Sequence, residues 1–452
     1  MSLGACGLKR RMLQLVVTVW ACLVLSACSK YKAPSGPSSL SNRVLASQGV
    51  SSTTSFGSLW FMNGQNDTLA QISPLSAGTS PALMAISPTR NIVSVFDPIT
   101  SSVYSVDTTK ESSLGRVQIS GKTTSLVVPT ASPIGYAAVP TASVNGFAYL
   151  GAVQVLNLSA QGLSTSIALT NAQTVIANST GTQLLVFNGT NSVTVLAPAN
   201  ALPIVDTSCY TGNLDPQNPV CTEIPGFDQP VFAIINGTVA YIFNCGAECG
   251  GVQASIQTLD LTTFAVGPPL PVNGATYGFL NGQTLYVAGN GTPTGQLCSS
   301  ITGAAKTAAT YCGTLDIVDL STMTDPYFQN VGTEIAIPDG YHSQMDMSVN
   351  GQLFIGSTVC TNIGNVNNPS GEVRGCLAIY DTTKGTVTFP PDNGDVNSLQ
   401  SFTSRDIEYV AEGGALRVYD TTRNILLIND FVPQGSIELV GYVGGVKAID
   451  FF

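Results

Sequence analysis

An alternating apolar strand that ends in Asp or Asn and runs directly into a small turn recurs along this chain. Clear copies end at Asp107, Asn157, Asp260, Asp319, Asp381 and Asp420, followed by Thr-Thr, Leu-Ser or Leu-Thr. Weaker copies end at Asn63 and Ala197. An Asp or Asn in this position accepts backbone N–H groups two residues on and closes a turn between strands. That local job explains why the residue appears once per unit, and it assigns these side chains to turns instead of a ligand set. The markers lie 44, 50, 40, 63, 59, 62 and 39 residues apart. The short spacings are those of a four-stranded propeller blade. In the unit that ends near residue 119, four strands fall at 82–87, 92–96, 103–106 and 114–119. No window carries a helical stripe. Only 10% of the 452 residues are charged, too few for exposed helices or coiled coils.

Units of this kind cannot bury both faces alone and must close into a ring. The chain ends offer the closure. Residues 59–62 and 68–72 supply two strands at the N-terminus, and 437–443 and 446–452 supply two at the C-terminus. The expected fold is therefore all-β: a β-propeller of eight four-stranded blades over residues 56–452, closed by strands from both ends. It has seven blades if the unit at Ala197 is not one. The marker strand, Val/Ile-x-Val-x-Asp with Thr following, resembles that of YVTN and quinoprotein-like propellers, a WD40-like architecture. The resemblance implies the fold and does not specify a function.

The first 55 residues read differently. Lys9, Arg10 and Arg11 precede an apolar run over 13–25, too short for a permanent span and suited to a signal peptide. Leu25-Ser26-Ala27-Cys28 resembles the lipobox of bacterial lipoproteins, which implies a signal peptide over 1–27 and a lipid on Cys28. Ser29, in place of Asp, implies by the same resemblance an outer-membrane destination. Cleavage before Cys28 leaves 14 basic and 27 acidic residues. Residues 28–55 contain nine Ser with Pro34, Gly36 and Pro37 and read as a flexible tether.

Eight cysteines remain in the mature chain, an even number in an exported protein, which predicts disulfides. They fall as Cys209/Cys221, Cys245/Cys249, Cys298/Cys312 and Cys360/Cys376, each in extra sequence inserted into a repeat. The last three pairs sit between the second strand and the marker strand of successive units, so their loops should emerge on one face. Zinc is the rival reading, but the spacings lack the two-residue knuckle and the His partners. No metal and no cofactor is expected.

Chemistry is sparse. The sole His, His342, opens a strand in which period-2 alternation puts His342, Gln344, Asp346 and Ser348 on one side. His342 with Asp346 is the one candidate acid–base pair. A formal charge of −10 argues against nucleic acid. The sequence thus points to a lipid-anchored envelope protein whose stapled loops bind a protein or glycan. A YVTN-like hydrolase or lactonase with a channel site, and an outer-membrane assembly scaffold, are the alternatives.

Overall fold

The computed structural model describes residues 37–51, 55–148, 150–291, 312–322, 335–360, 376–390, 394–428 and 435–450. Cys28 with the signal peptide expected over 1–27, and Cys298, lie outside them. Eight antiparallel sheets stand in a ring, and each is one blade. The first strands of successive blades touch their neighbours all the way round, and the contact between Gly445–Ala448 and Met84–Ile86 closes the circle. Every sequence marker ends the third strand of its blade, including the weak one at Ala197, where Ser192–Leu196 is a full member of blade four. Eight blades is therefore the count.

Among the described residues the apolar side chains form eight separate clusters, one between each pair of adjacent blades, in place of a central core. Successive residues of a strand point to opposite sides of the sheet, so each strand serves two interfaces. Val44 and Ala46 pack toward blade eight, while Leu45 between them packs toward blade two. This is why buried apolar residues lie on both sides of a strand.

The marker turns behave as the side-chain chemistry requires. Asp107 Oδ1 accepts N–H bonds from Thr109 and Lys110, and Asp260 Oδ1 does so from Thr262 and Thr263. The residue four past the marker then takes a left-handed conformation, at Asp67, Glu111, Gln161, Phe264, Gly385 and Asn424. Only one of these is Gly, so the capped turn carries most of the backbone cost usually met by glycine.

Two expectations about the ends need correction. The tether expected through residue 55 contains a buried strand, Arg43–Gln48, so the propeller begins before residue 56. Closure is also three strands plus one, not two plus two. Arg43–Gln48, Ser58–Asn63 and the short pieces Thr68–Leu69 and Leu75–Ser76 come from the N-terminal end, and Gly445–Ala448 from the C-terminal end adds the innermost strand. The strand expected over 437–443 is only Ser436–Ile437, and it pairs within blade eight. The physical reason is pairing: Arg43–Gln48 has a partner on each side, Ser58–Asn63 and Gly445–Ala448.

Among the described residues three disulfides are present, Cys209–Cys221, Cys245–Cys249 and Cys360–Cys376. The first lies in an insertion between the third and fourth strands of blade four. That insertion also sends Ile204–Asp206 alongside the outer strand of blade three. The other two staple connections between second and third strands.

The fourth expected pair, Cys298/Cys312, is not among these disulfides, because Cys298 falls outside the described residues. The placement of Cys312 differs from the expectation. Cys312 is not in inserted sequence ahead of a strand that starts at Leu315. It is the first residue of the third strand of blade six, Cys312–Asp319, and stands opposite Gly291 on the second strand. The reason is again pairing: the ladder between these two strands runs unbroken from Thr284 and Asp319 to Gly291 and Cys312, so the strand takes in the residues before its apolar run.

Candidate functional site: the stapled face and the central channel

In an antiparallel blade, the second-to-third connection and the link to the next blade emerge at one end of the sheet. The first-to-second and third-to-fourth connections emerge at the other. The disc therefore has two chemically different faces. The marker turns all lie on one, where Lys110, Lys384 and Arg423 pair with the Asp three residues earlier. The opposite face carries the stapled loops at Cys245–Cys249 and Cys360–Cys376.

The stapled face is built to hold its shape. Asp228 accepts backbone N–H bonds from Val252 and Gln253 and pins the loop that follows Cys249. Within the loop, Glu248 accepts two bonds from Asn290, at 2.9 Å from its N–H and 2.8 Å from its side chain. Asn290 also donates to the Gly340 carbonyl at 2.9 Å. Blade five is thereby tied across the surface to blade six and to the link into blade seven. Burial raises the Glu248 pKa despite the bonds from Asn290. Asp395 accepts the Val359 N–H at 2.7 Å and braces the second stapled loop in the same manner.

Aromatic residues mark this face. Among the described residues the exposed aromatics are Phe56, Phe147, Tyr210, Tyr341 and Tyr442. Phe56 and Phe147 sit in second-to-third connections, and Tyr341 and Tyr442 at links between blades. Tyr210 rests on Phe147 with ring centroids 5.1 Å apart. Of the five, only Tyr210 belongs to a third-to-fourth connection, the insertion of blade four.

The channel opens at the middle of the stapled face as a cavity of about 500 Å³ whose lining includes Phe232, Tyr277, Tyr341, Ser343, Gln344 and Lys447. Phe232 and Tyr277 stack with centroids 4.3 Å apart. Burial, with Asp346 and Tyr341 adding to it, pushes the Tyr277 hydroxyl up to about 12. Below Lys447 a second cavity of about 360 Å³ leads toward the ion-paired face. Behind the wall lie Asp346 and Glu408. Asp346 accepts N–H bonds from Ser401 at 2.7 Å and Met347 at 2.8 Å. Glu408 is fully buried between blades seven and eight. Desolvation raises both carboxyl pKa values, that of Glu408 strongly. Desolvation also lowers Lys447, against the pull of the two acids.

The expected alternation over residues 342–348 does not hold at its start. A bulge at Ser343 breaks the register, with His342 opposite Ser357 and Gln344 opposite Gly356. One extra residue inverts the facing of everything before it, so His342 and Asp346 lie on opposite sides of the strand. The two therefore do not form an acid–base pair. His342 is 2% exposed. Its Nε2 sits 2.9 Å from the Pro338 carbonyl, which makes that nitrogen the donor of a neutral ring, and Nδ1 has no partner among the described residues. Burial pulls its pKa from 6.5 to about 4, against that hydrogen bond and nearby Asp339. Because the unfolded chain binds this proton first, His342 contributes stability that is complete above pH 6.5 and is lost as pH falls toward 4. The slope is about 1.4 kcal/mol per pH unit. Glu408 works with the opposite sign: its raised pKa supports the fold below pH 4.5 and less so as pH rises. As the only His in the chain, His342 should give a single imidazole C2–H resonance that titrates near pH 4. A midpoint near 6.5 would place the ring in water.

Sequence reasoning found the stapled loops but not Lys447, Glu408 or the aromatic asymmetry. The signal for the last was available, since four of the five aromatics, all but Tyr210, lie in second-to-third connections or inter-blade links, whose face the repeat fixes. No protein-family model matches the chain, and no curated protein matches it. Among solved structures, it is similar to the dihydro-heme d1 dehydrogenase NirN at 11% identity. That match has a TM-score of 0.58 and covers 91% of this chain and 75% of that one. It is also similar to hydrazine synthase from Kuenenia stuttgartiensis, at 12% identity and a TM-score of 0.51, over 75% of this chain and 95% of that one. A proposed 6-phosphogluconolactonase of Bacteroides fragilis matches at a TM-score of 0.45 and 12% identity, over 90% and 98% of the two chains. That is too distant to bear on this site. At these identities the likeness concerns the fold alone: the chain is an eight-bladed β-propeller.

Proposed function

We propose that this propeller is exported, is held to the cell envelope by lipid on Cys28, and serves as a binding module whose stapled face takes a protein or glycan partner. The observation that carries the reading is the asymmetry of the disc. Four of the five exposed aromatic rings lie in connections of the face that disulfides and half-buried carboxylates brace, while the other face carries local ion pairs. Aromatic rings on a pre-ordered surface supply large contact area at small entropic cost. The Leu25-Ser26-Ala27-Cys28 motif supports the anchor, and its approach to the outer membrane follows from Ser29. The hydrolase alternative loses its only candidate pair, because His342 is neutral, walled in and turned away from Asp346.

The test is a photo-crosslinking amino acid at one of two exposed valines, in the full chain within its own envelope. Val252 is 86% exposed on the stapled loop, and Val349 is 57% exposed on the opposite face. Adducts are expected from position 252 and not from 349. Adducts from 349, or none from either position, would overturn the reading.

A further inference from the structure

The channel contains a charge that the face-binding reading does not use. Of the residues that line the upper and lower cavities, Lys447 is the only charged one, and it lines both. It projects from the innermost closing strand, and its ammonium makes no hydrogen bond or salt bridge among the described residues. Asp346 and Glu408 pull on it, but neither carboxylate reaches it with a hydrogen bond. Both oxygens of Asp346 hold backbone N–H groups, and Glu408 is sealed between two blades. The Arg90 guanidinium donates to the carbonyls of Ala448 and Asp450 and so braces the strand that carries Lys447. The Lys447 ammonium, drawn by both acids but hydrogen-bonded to neither, thus faces the channel at the axis of a chain with net charge −10.

We propose that the waist of the channel binds a small monocarboxylic acid with an aromatic or branched body, its carboxylate on the Lys447 ammonium. The body would lie in the upper cavity against Phe232, Tyr277 and Tyr341, and Ser343 and Gln344 would orient its polar substituents. A cavity of about 500 Å³ is of the size that ligand sites occupy, apolar with a few placed polar groups. One cation matches one negative charge. A dianion such as a phosphate monoester would leave a second charge facing Asp346 without compensation. The site is independent of the stapled-face partner, so either reading can fail alone.

Titration calorimetry of the purified chain with phenylacetate, phenyl phosphate and benzylammonium tests the proposal. Phenylacetate is expected to bind, phenyl phosphate more weakly, and benzylammonium not at all. Lys447→Met keeps the length of the side chain without its charge and should weaken phenylacetate by roughly tenfold or more, the worth of one charged hydrogen bond. Lys447→Arg should retain it. Should Lys447→Met fail to fold, a photoreactive phenylacetate on the wild-type chain gives an independent measurement, with adducts expected on the first strands of the blades. The proposal is overturned if phenylacetate does not bind at millimolar concentration, if benzylammonium binds as well, if a folded Lys447→Met variant binds phenylacetate undiminished, or if adducts map outside the channel.

Discussion

A chain that stops at residue 444 should lose cooperative unfolding, although it keeps seven complete blades and three strands of the eighth. The deleted strand Gly445–Ala448 pairs with Arg43–Gln48 along four residue pairs. Its removal exposes the apolar surfaces that bury Val446, Ala448 and Ile449. Burial of Val446 and Ile449 contributes about 1.5–3 kcal/mol each, and each ladder hydrogen bond about 1 kcal/mol. Asp450 goes with the strand, so the buried Arg43 guanidinium loses one of its two carboxylates. Such losses together reach the whole stability of an ordinary domain, about 5–15 kcal/mol. The ring adds a further term. Blades eight and two meet the closing strand on either side, and without it two inner strand edges stand open to other chains. Thermal melts followed by near-ultraviolet circular dichroism should show a broad transition or none. A truncated chain that melts as sharply as the intact one, at the same temperature, would mean that the two ends do not close the ring.

The blades were legible because the repeat carries two independent signals at one place. The third strand alternates toward two apolar interfaces, and the Asp or Asn after it caps a turn that nothing but local hydrogen bonding requires. Even the unit at Ala197, which lacks the acid, keeps Val193 and Val195 turned to one interface and Leu196 to the other. The closing blade was harder to read. Arg43–Gln48 holds only three apolar residues, flanked by Arg43 on one side and Ser47 and Gln48 on the other, within a Ser-rich stretch. Composition reports the stretch, whereas burial is decided by strands that lie at opposite ends of the sequence.

The channel was less legible still. Lys447 within Val446-Lys447-Ala448 reads as an ordinary outward residue of an alternating strand, because a linear pattern does not separate a side chain in bulk water from one at the axis of a ring. The bulge at Ser343 leaves no composition signal, yet it inverts the facing of His342 and dissolves the one acid–base pair the sequence suggested. The left-handed positions after the markers are equally silent. Glu111 and Asp67 are not residues chosen for that conformation, and each instead places a carboxylate against an arginine from a distant segment.

Replacement of Arg43 by Ala should cost about 3–5 kcal/mol, the usual penalty for removing one partner of a buried ion pair. Arg43 is 4% exposed. Its guanidinium meets Asp450 at 2.7 Å and Glu111 at 3.0 Å and donates to the Thr108 carbonyl at 2.6 Å. One side chain thus joins the N-terminal strand, the C-terminal segment and a turn of blade two. Without it, Glu111 keeps, among the described residues, only the Ser38 hydroxyl and backbone N–H as donors, and its carboxylate remains buried with its charge uncompensated. The cost should therefore depend on Glu111. Arg43→Met combined with Glu111→Gln removes both charges and should recover part of the loss, with a coupling of about 0.5–3 kcal/mol in a double-mutant cycle. Urea midpoints at constant slope measure each variant. If Arg43→Ala shifts the midpoint by less than about 1 kcal/mol, as a substitution in an exposed segment does, the strand that carries it is not part of the closure. The N-terminal stretch would then be the tether that its composition suggests.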